Sequence, residues 1–146
     1  MVNFKPNQSK IYSMPQAIAY VSQKSPSTSE QEIKDLLRKS QTNNIERDIS
    51  GILVYSDGNF FQVTEGEPEI ITSLFNKIKA DNRHENIIVI FNHSIVKAAI
   101  DGYKADFATR HEGYDSQTLS NYLHHIQTLD PKSQAVVKNV LKNFLS

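Results

Sequence analysis

Three polar side chains fall where the sequence pattern is otherwise apolar. Gln62 interrupts the strand pattern FFQVT, and Tyr20 sits inside the apolar run AIAYVS. Asn44 comes four residues after Ser40, just past a helix pattern whose apolar face ends in that serine. A carboxamide offers donors and an acceptor at one end, and a phenol both donates and accepts. Buried without partners, each such group costs about 1–3 kcal/mol. Two amides and a phenol converging on one face suit a planar ligand with donors and acceptors along one edge. The plainer reading is structural: Gln62 and Asn44 tie up loop backbone, and Tyr20 is core. Pattern alone favours the plainer reading.

Other chemistries have less support. His84, His93, His111, His124 and His125 show no metal-ligand spacing of the HExxH kind. The five glycines are scattered, so no loop is built to cradle a phosphate. There is no cysteine, which removes disulfides, thiol nucleophiles, iron–sulfur clusters and Cys-based zinc sites together. No serine has a nucleophile elbow around it. No acidic pair is spaced for catalysis; Glu65 and Glu67 flank a turn, as solvated or capping side chains do.

The elements that must position these residues follow from local pattern. Residues 17–22 read as a strand apolar on both faces, hence central in a sheet. A helix is expected over 30–41, with a capping box of Ser29–Glu32 or, fitting as well, Ser27–Glu30, and an apolar stripe of Ile33, Leu36 and Leu37. Asp57-Gly58 is a two-residue hairpin turn, because type I′ needs positive φ at both central positions. Counting outward pairs Tyr55 with Phe60, Val54 with Phe61, Leu53 with Gln62 and Ile52 with Val63. Leu53, Tyr55, Phe60 and Gln62 then share one face. A second helix is expected over 68–80, with Pro68 in its first turn. Residues 87–91 read as a strand apolar on both faces, and a shorter strand follows near 103–108. Two more amphipathic helices are expected at about 116–129 and from 130 onward, covering the second apolar face of the sheet. The order β-α-β-β-α-β-β-α-α makes an α+β protein, with a ferredoxin-like mixed sheet and two helices on one face. The expected division is an N-terminal arm at 1–15, a domain at 16–110 and a two-helix extension at 111–146.

Composition sets the outer bounds. The chain has 146 residues and 38% hydrophobic residues, enough for one domain with a core. Sixteen basic and sixteen acidic residues give a net charge of +0, so no overall field draws it to nucleic acid or to an anionic membrane. Apolar runs such as Ile87 to Phe91 fall far short of the ~18 residues of a membrane span. A cytoplasmic location is the expectation.

Four blocks, in order, resemble the BLUF family of blue-light sensors that use flavin. They are AYVSQ with Tyr20, the helix SEQEIKDLLRKSQTNN ending in Asn43 and Asn44, ISGILVYSDGNFFQVTEG with Gln62, and IKADNRH with Asp81, Arg83 and His84. The resemblance runs from about Ile18 to Thr109, and the two tail helices look like those of short members without a fused enzyme domain. It implies a flavin, FAD or alternatively FMN, between the two helices. It makes Tyr20 and Gln62 the switch pair, with Asn43 and Asn44 at the polar edge of the ring. Leu36, Leu53, Phe60 and Ile78 match positions around the ring, and Arg83 and His84 match positions near the flavin and its tail. In the mechanism it implies, light draws an electron and a proton from the tyrosine, both return, and the glutamine is left rotated or tautomerised. The departure lies on the last strand. Tyr103 and Ala105 stand where the family usually has a tryptophan and a methionine, and they are the expected signal relay. Tyr103 is there either a second electron donor or a spacer, and Ala105 is too small for the usual contact with the glutamine.

The leading expectation is thus a non-enzymatic photoreceptor that acts on a partner protein and self-associates. The alternative is a degenerate relative that binds flavin without switching, or binds none.

Overall fold

Asp57 and Gly58 have φ of 48° and 82°, the two positive values that a type I′ turn requires. The turn joins β2 (Ser50–Ser56) to β3 (Asn59–Gly66). Their register is the one counted from the turn: Tyr55 opposite Phe60, Val54 opposite Phe61, Leu53 opposite Gln62, Ile52 opposite Val63. The computed structural model describes residues 14–96 and 102–108, together with 131–132, 134–135 and 138–139, which are helical. The expected arm at 1–15 lies outside the described residues except for 14 and 15. So does nearly all of the expected two-helix extension.

β1 (Gln16–Lys24) lies between β3 and β4 (His84–Ser94) and is antiparallel to both. β5 (Tyr103–Ala108) runs parallel to β2 at the other side. The strand order is β4-β1-β3-β2-β5, four antiparallel strands extended by one parallel strand. With α1 (Glu30–Glu46) and α2 (Pro68–Ala80), this is the ferredoxin-like α+β arrangement.

α1 starts at a capping box. Ser29 Oγ accepts from the Glu32 N–H at 3.2 Å, and the Glu32 carboxylate accepts from the Ser29 N–H at 3.2 Å. Such a cap contributes about 1 kcal/mol. The helix runs five residues past the expected end at Gln41, because no Gly or Pro interrupts it before Asp48, whose φ is 58°. Asn43 and Asn44 are therefore in its last turn and not in the loop beyond it. β4 is also longer than the expected 87–91. Its ladder with β1 continues to Ser94 at one end and His84 at the other, so backbone pairing sets its length. Ile88 and Val89 on this outer strand are 63% and 45% exposed, so β4 does not bury both of its faces. Glu65, expected to be solvated or capping, is fully buried within β3, where its carboxylate accepts from Ser50 Oγ at 3.3 Å. The alternation of the strand, and not the nearby turn, decides where that side chain goes.

The core between sheet and helices is built from Ile18, Tyr20, Leu53, Tyr55 and Phe60 on the strands and Ile33, Leu37, Ile71 and Phe75 on the helices. Ala17, Ala19, Ile52, Val54, Phe61 and Val63 are buried as well. At Gly51 the chain closes on itself: a Cβ there would lie 2.0 Å from the Val63 carbonyl oxygen, so only glycine fits.

Candidate functional site

The register of three strands assembles one polar row inside the core. Tyr20 on β1 is directly opposite Gln62 on β3, which is directly opposite Leu53 on β2. Leu53 in turn pairs with Ala105 on β5, and Gly51 pairs with Tyr103. Gln62 Nε2 donates to Tyr20 Oη at 2.6 Å. Gln62 Oε1 accepts from Tyr103 Oη. Because its register partner Gly51 has no side chain, the Tyr103 ring has a path across β2 to Gln62. Tyr20, Gln62 and Tyr103 are 4%, 3% and 5% exposed. Burial pushes the Tyr20 hydroxyl well above the usual phenol range; the Gln62 hydrogen bond opposes this and the Asp81 charge adds to it. Burial likewise pushes Tyr103 up, helped by neighbouring Tyr20 and opposed by its contact with the Asn44 side chain. Both phenols therefore keep their protons at neutral pH and remain hydrogen-bonding hydroxyls.

Tyr20, Gln62 and Leu53 of this row, with Phe60, form the floor of a cavity of about 280 Å³ between α1 and α2, and Tyr103 stands behind Gln62 without lining it. Tyr20, Gln62, Leu53 and Phe60 line it from the sheet. Leu36, Asn43 and Asn44 line it from α1, and Ile78 lines it from α2. Arg83 and His84 line it where α2 leads into β4. Each residue expected at a flavin site thus lines this one cavity. The relay residues differ from each other. Tyr103 reaches Gln62, whereas Ala105 sits beyond Leu53 and gives its backbone N–H to Gln41 Oε1 at 3.0 Å.

The lining where α2 leads into β4 is charged. Arg83 forms a forked pair with Asp81, Nε at 2.9 and 3.1 Å and an Nη at 2.5 Å. The Arg83 hydrogen bonds hold the Asp81 carboxyl below the usual carboxylate range, and Asp81 raises Arg83 in return. His84 bridges β1 and α2: Nε2 lies 2.6 Å from the Ile78 carbonyl and Nδ1 lies 2.8 Å from Ser22 Oγ. A carbonyl only accepts, so Nε2 carries a proton. Arg47, Lys77, Leu74 and Ser40 complete the lining. Leu74 was legible, being one turn before Ile78 on the same stripe. Arg47 and Lys77 were not, because a surface cation looks the same in sequence wherever it ends up.

The residues present fit a flavin. Aliphatic and aromatic side chains, amides and a phenol line the cavity together with the cations Arg47, Lys77 and Arg83. An isoalloxazine ring is a flat apolar body with one polar edge, and its nucleotide tail is anionic. Among the described residues there is no cluster of three potential metal ligands, and no helix is long and apolar enough to cross a membrane.

Comparison with known proteins bears on the same residues. A photoactivated adenylate cyclase subunit beta of Euglena gracilis is 45% identical over 60 residues, covering 41% of this chain and 7% of that protein. The chain thus spans a small fraction of that relative's length. The solved structure of the BlsA ground state is 27% identical, with a TM-score of 0.64 over 90% of this chain and 88% of that one. Klebsiella pneumoniae BlrP1 with FMN and cyclic diGMP shares the fold, with a TM-score of 0.71 at 23% identity over 90% of this chain and 34% of that one. The sequence profile of the BLUF family, sensors of blue light using FAD, matches residues 16–103. That span runs from the first residue of β1 to Tyr103 and takes in the whole cavity floor, so this chain belongs to the BLUF family of blue-light sensors, whose cofactor is a flavin, FAD or FMN.

Proposed function

We propose that the chain senses blue light by rearranging the hydrogen bonds of Gln62, with Tyr20 as its redox partner, and passes the change to a partner protein. The observation that carries this is the Tyr20–Gln62 hydrogen bond at 2.6 Å, buried in the cavity floor. A bound flavin supplies the absorption of blue light and an excited state able to take an electron. Tyr20 is the nearby side chain that can give one. Its raised pKa means that it does not ionise beforehand, so its proton leaves with the electron. Gln62 is the side chain that can respond. Its amide presents a donor at one corner and an acceptor at the other, so a half-turn or a tautomer shift changes every bond it makes.

The other residues hold the ligand. Asn43 and Asn44 meet the polar edge of the ring from the last turn of α1. Leu36, Leu53, Phe60 and Ile78 pack on it and exclude water. Arg83, with Arg47 and Lys77, would meet the tail, while His84 fixes the α2–β1 wall through Ile78 and Ser22. The output leaves by β5, where Tyr103 contacts Gln62 directly and Ala105 follows through the strand. Residues 111–146 are the part that meets the partner or a second copy of the chain. The proposed location is the cytoplasm. The proposed role is sensory and not catalytic.

The test is the visible spectrum of the purified chain in the dark and directly after blue light. A flavin band that moves slightly to the red and recovers in darkness is expected. A band that stays still would reduce the chain to a flavin-binding interaction module.

A further inference from the structure

Gln62 is bracketed by phenols. Its Nε2 donates to Tyr20 Oη at 2.6 Å, and its Oε1 accepts from Tyr103 Oη. All three side chains are buried, on three different strands. An amide held this way differs from one held between a fixed donor and a fixed acceptor. A phenol hydroxyl can do either. When the amide turns end for end, Nε2 faces Tyr103 and Oε1 faces Tyr20. Tyr103 Oη then accepts where it had donated, and Tyr20 Oη donates where it had accepted. Each change needs only rotation of an O–H bond, and no hydrogen bond is lost. A donor-only side chain at position 103, such as an indole, would match one orientation and oppose the other.

We propose that Tyr103 is a positioning residue that hydrogen-bonds the Gln62 amide in both of its orientations and so sets the rate at which they interchange. This deepens the proposed function and rests on its claim that Gln62 rearranges. A bond present in both end states and broken midway adds to the barrier in each direction. It leaves the balance between the two states nearly unchanged. One hydrogen bond of ordinary strength corresponds to about tenfold in rate. Asn44 also faces the Tyr103 hydroxyl, which keeps that hydroxyl in place while the amide turns.

Tyr103→Phe in the full, flavin-loaded chain tests this with two readouts. The first is the dark recovery of the red-shifted band. The second is the carbonyl stretch of Gln62 in darkness, read by infrared spectroscopy with carbon-13-labelled glutamine. The red shift should persist, and recovery should be about tenfold faster. The carbonyl stretch should move to higher wavenumber, because Oε1 has lost a donor. The second variant, 3-fluorotyrosine at position 103, keeps the shape and strengthens the donor; recovery should slow and the stretch should fall. A recovery within about twofold of the unmodified chain, with the stretch unmoved, would overturn the role of Tyr103 while leaving the sensor reading intact. An unmodified chain with no reversible shift would instead overturn the sensor reading, and the kinetic role of Tyr103 with it.

Discussion

The two ends of the cavity hold their polar groups in opposite ways. At the floor and just behind it, Tyr20, Gln62 and Tyr103 come from three strands, are almost fully buried, and carry no charge. At the other end, Asp81 and Arg83 are two residues apart, with side chains 24% and 38% exposed. The floor has few alternatives: its side chains are almost fully buried, so each group keeps one of a small set of partners. The charged pair has many, since water and salt compete at every step. A two-state element belongs in the first environment. An adaptable hold on an anionic tail belongs in the second.

The largest expected effect comes from the floor. Gln62→Leu should retain flavin and lose the light-induced shift, whereas Arg83→Ala should keep the shift. A full shift in Gln62→Leu, read by difference spectroscopy, would move the switch away from the floor.

Alkali separates the ends next. Tyr20 and Tyr103 have folded pKa values raised above the unfolded value of 10.0. Their contribution is fully present below pH 10 and is lost as pH rises above it, because the unfolded chain then releases protons that the folded chain keeps. Stability should fall by about 1.4 kcal/mol per pH unit for each phenol in that range. Tyr55 is raised by burial as well, so Tyr20→Phe should lower, by less than half, the slope seen in denaturant titrations at pH 10–11.5. An unchanged slope would mean that other groups dominate it.

Asn44→Ala removes a buried amide at the edge of the floor. Flavin affinity should fall by about 1–3 kcal/mol in a titration of the flavin-free chain. Unchanged affinity would remove Asn44 from the ligand's edge. The smallest effect belongs to the ion pair. Asp81→Asn should change stability by no more than about 1 kcal/mol, and less in high salt. The pKa of Asp81 is lowered, so its contribution is present above the ordinary carboxylate range and is lost as pH falls through the lowered value. A large, salt-independent loss would show that this end is as dry as the floor.

The residues that were legible in the sequence owe their placement to local sterics. Asp57-Gly58 allows one tight turn, and that turn dictates the β2–β3 register, which puts Gln62 beside Leu53. Period-two alternation then sends Gln62 and Phe60 to the same face, and Ser29 with Glu32 starts α1. The candidate site was legible mainly through its resemblance to a family, because an amide in an apolar strand has a structural reading of equal simplicity. Pattern stopped α1 at Gln41, and only the resemblance carried the helix on to Asn43 and Asn44; neither reached the burial of Glu65.

The meeting of Tyr103 with Gln62 was decided only by tertiary structure. The two residues lie 41 positions apart, on strands separated by β2. No turn links β5 to β2; their parallel pairing depends on packing against α1 and on the register beside Gly51. Short-range sterics act through one or two peptide units and can be read along the chain. A hydrogen bond across three strands depends on every register between them, and the folded sheet alone sets those together.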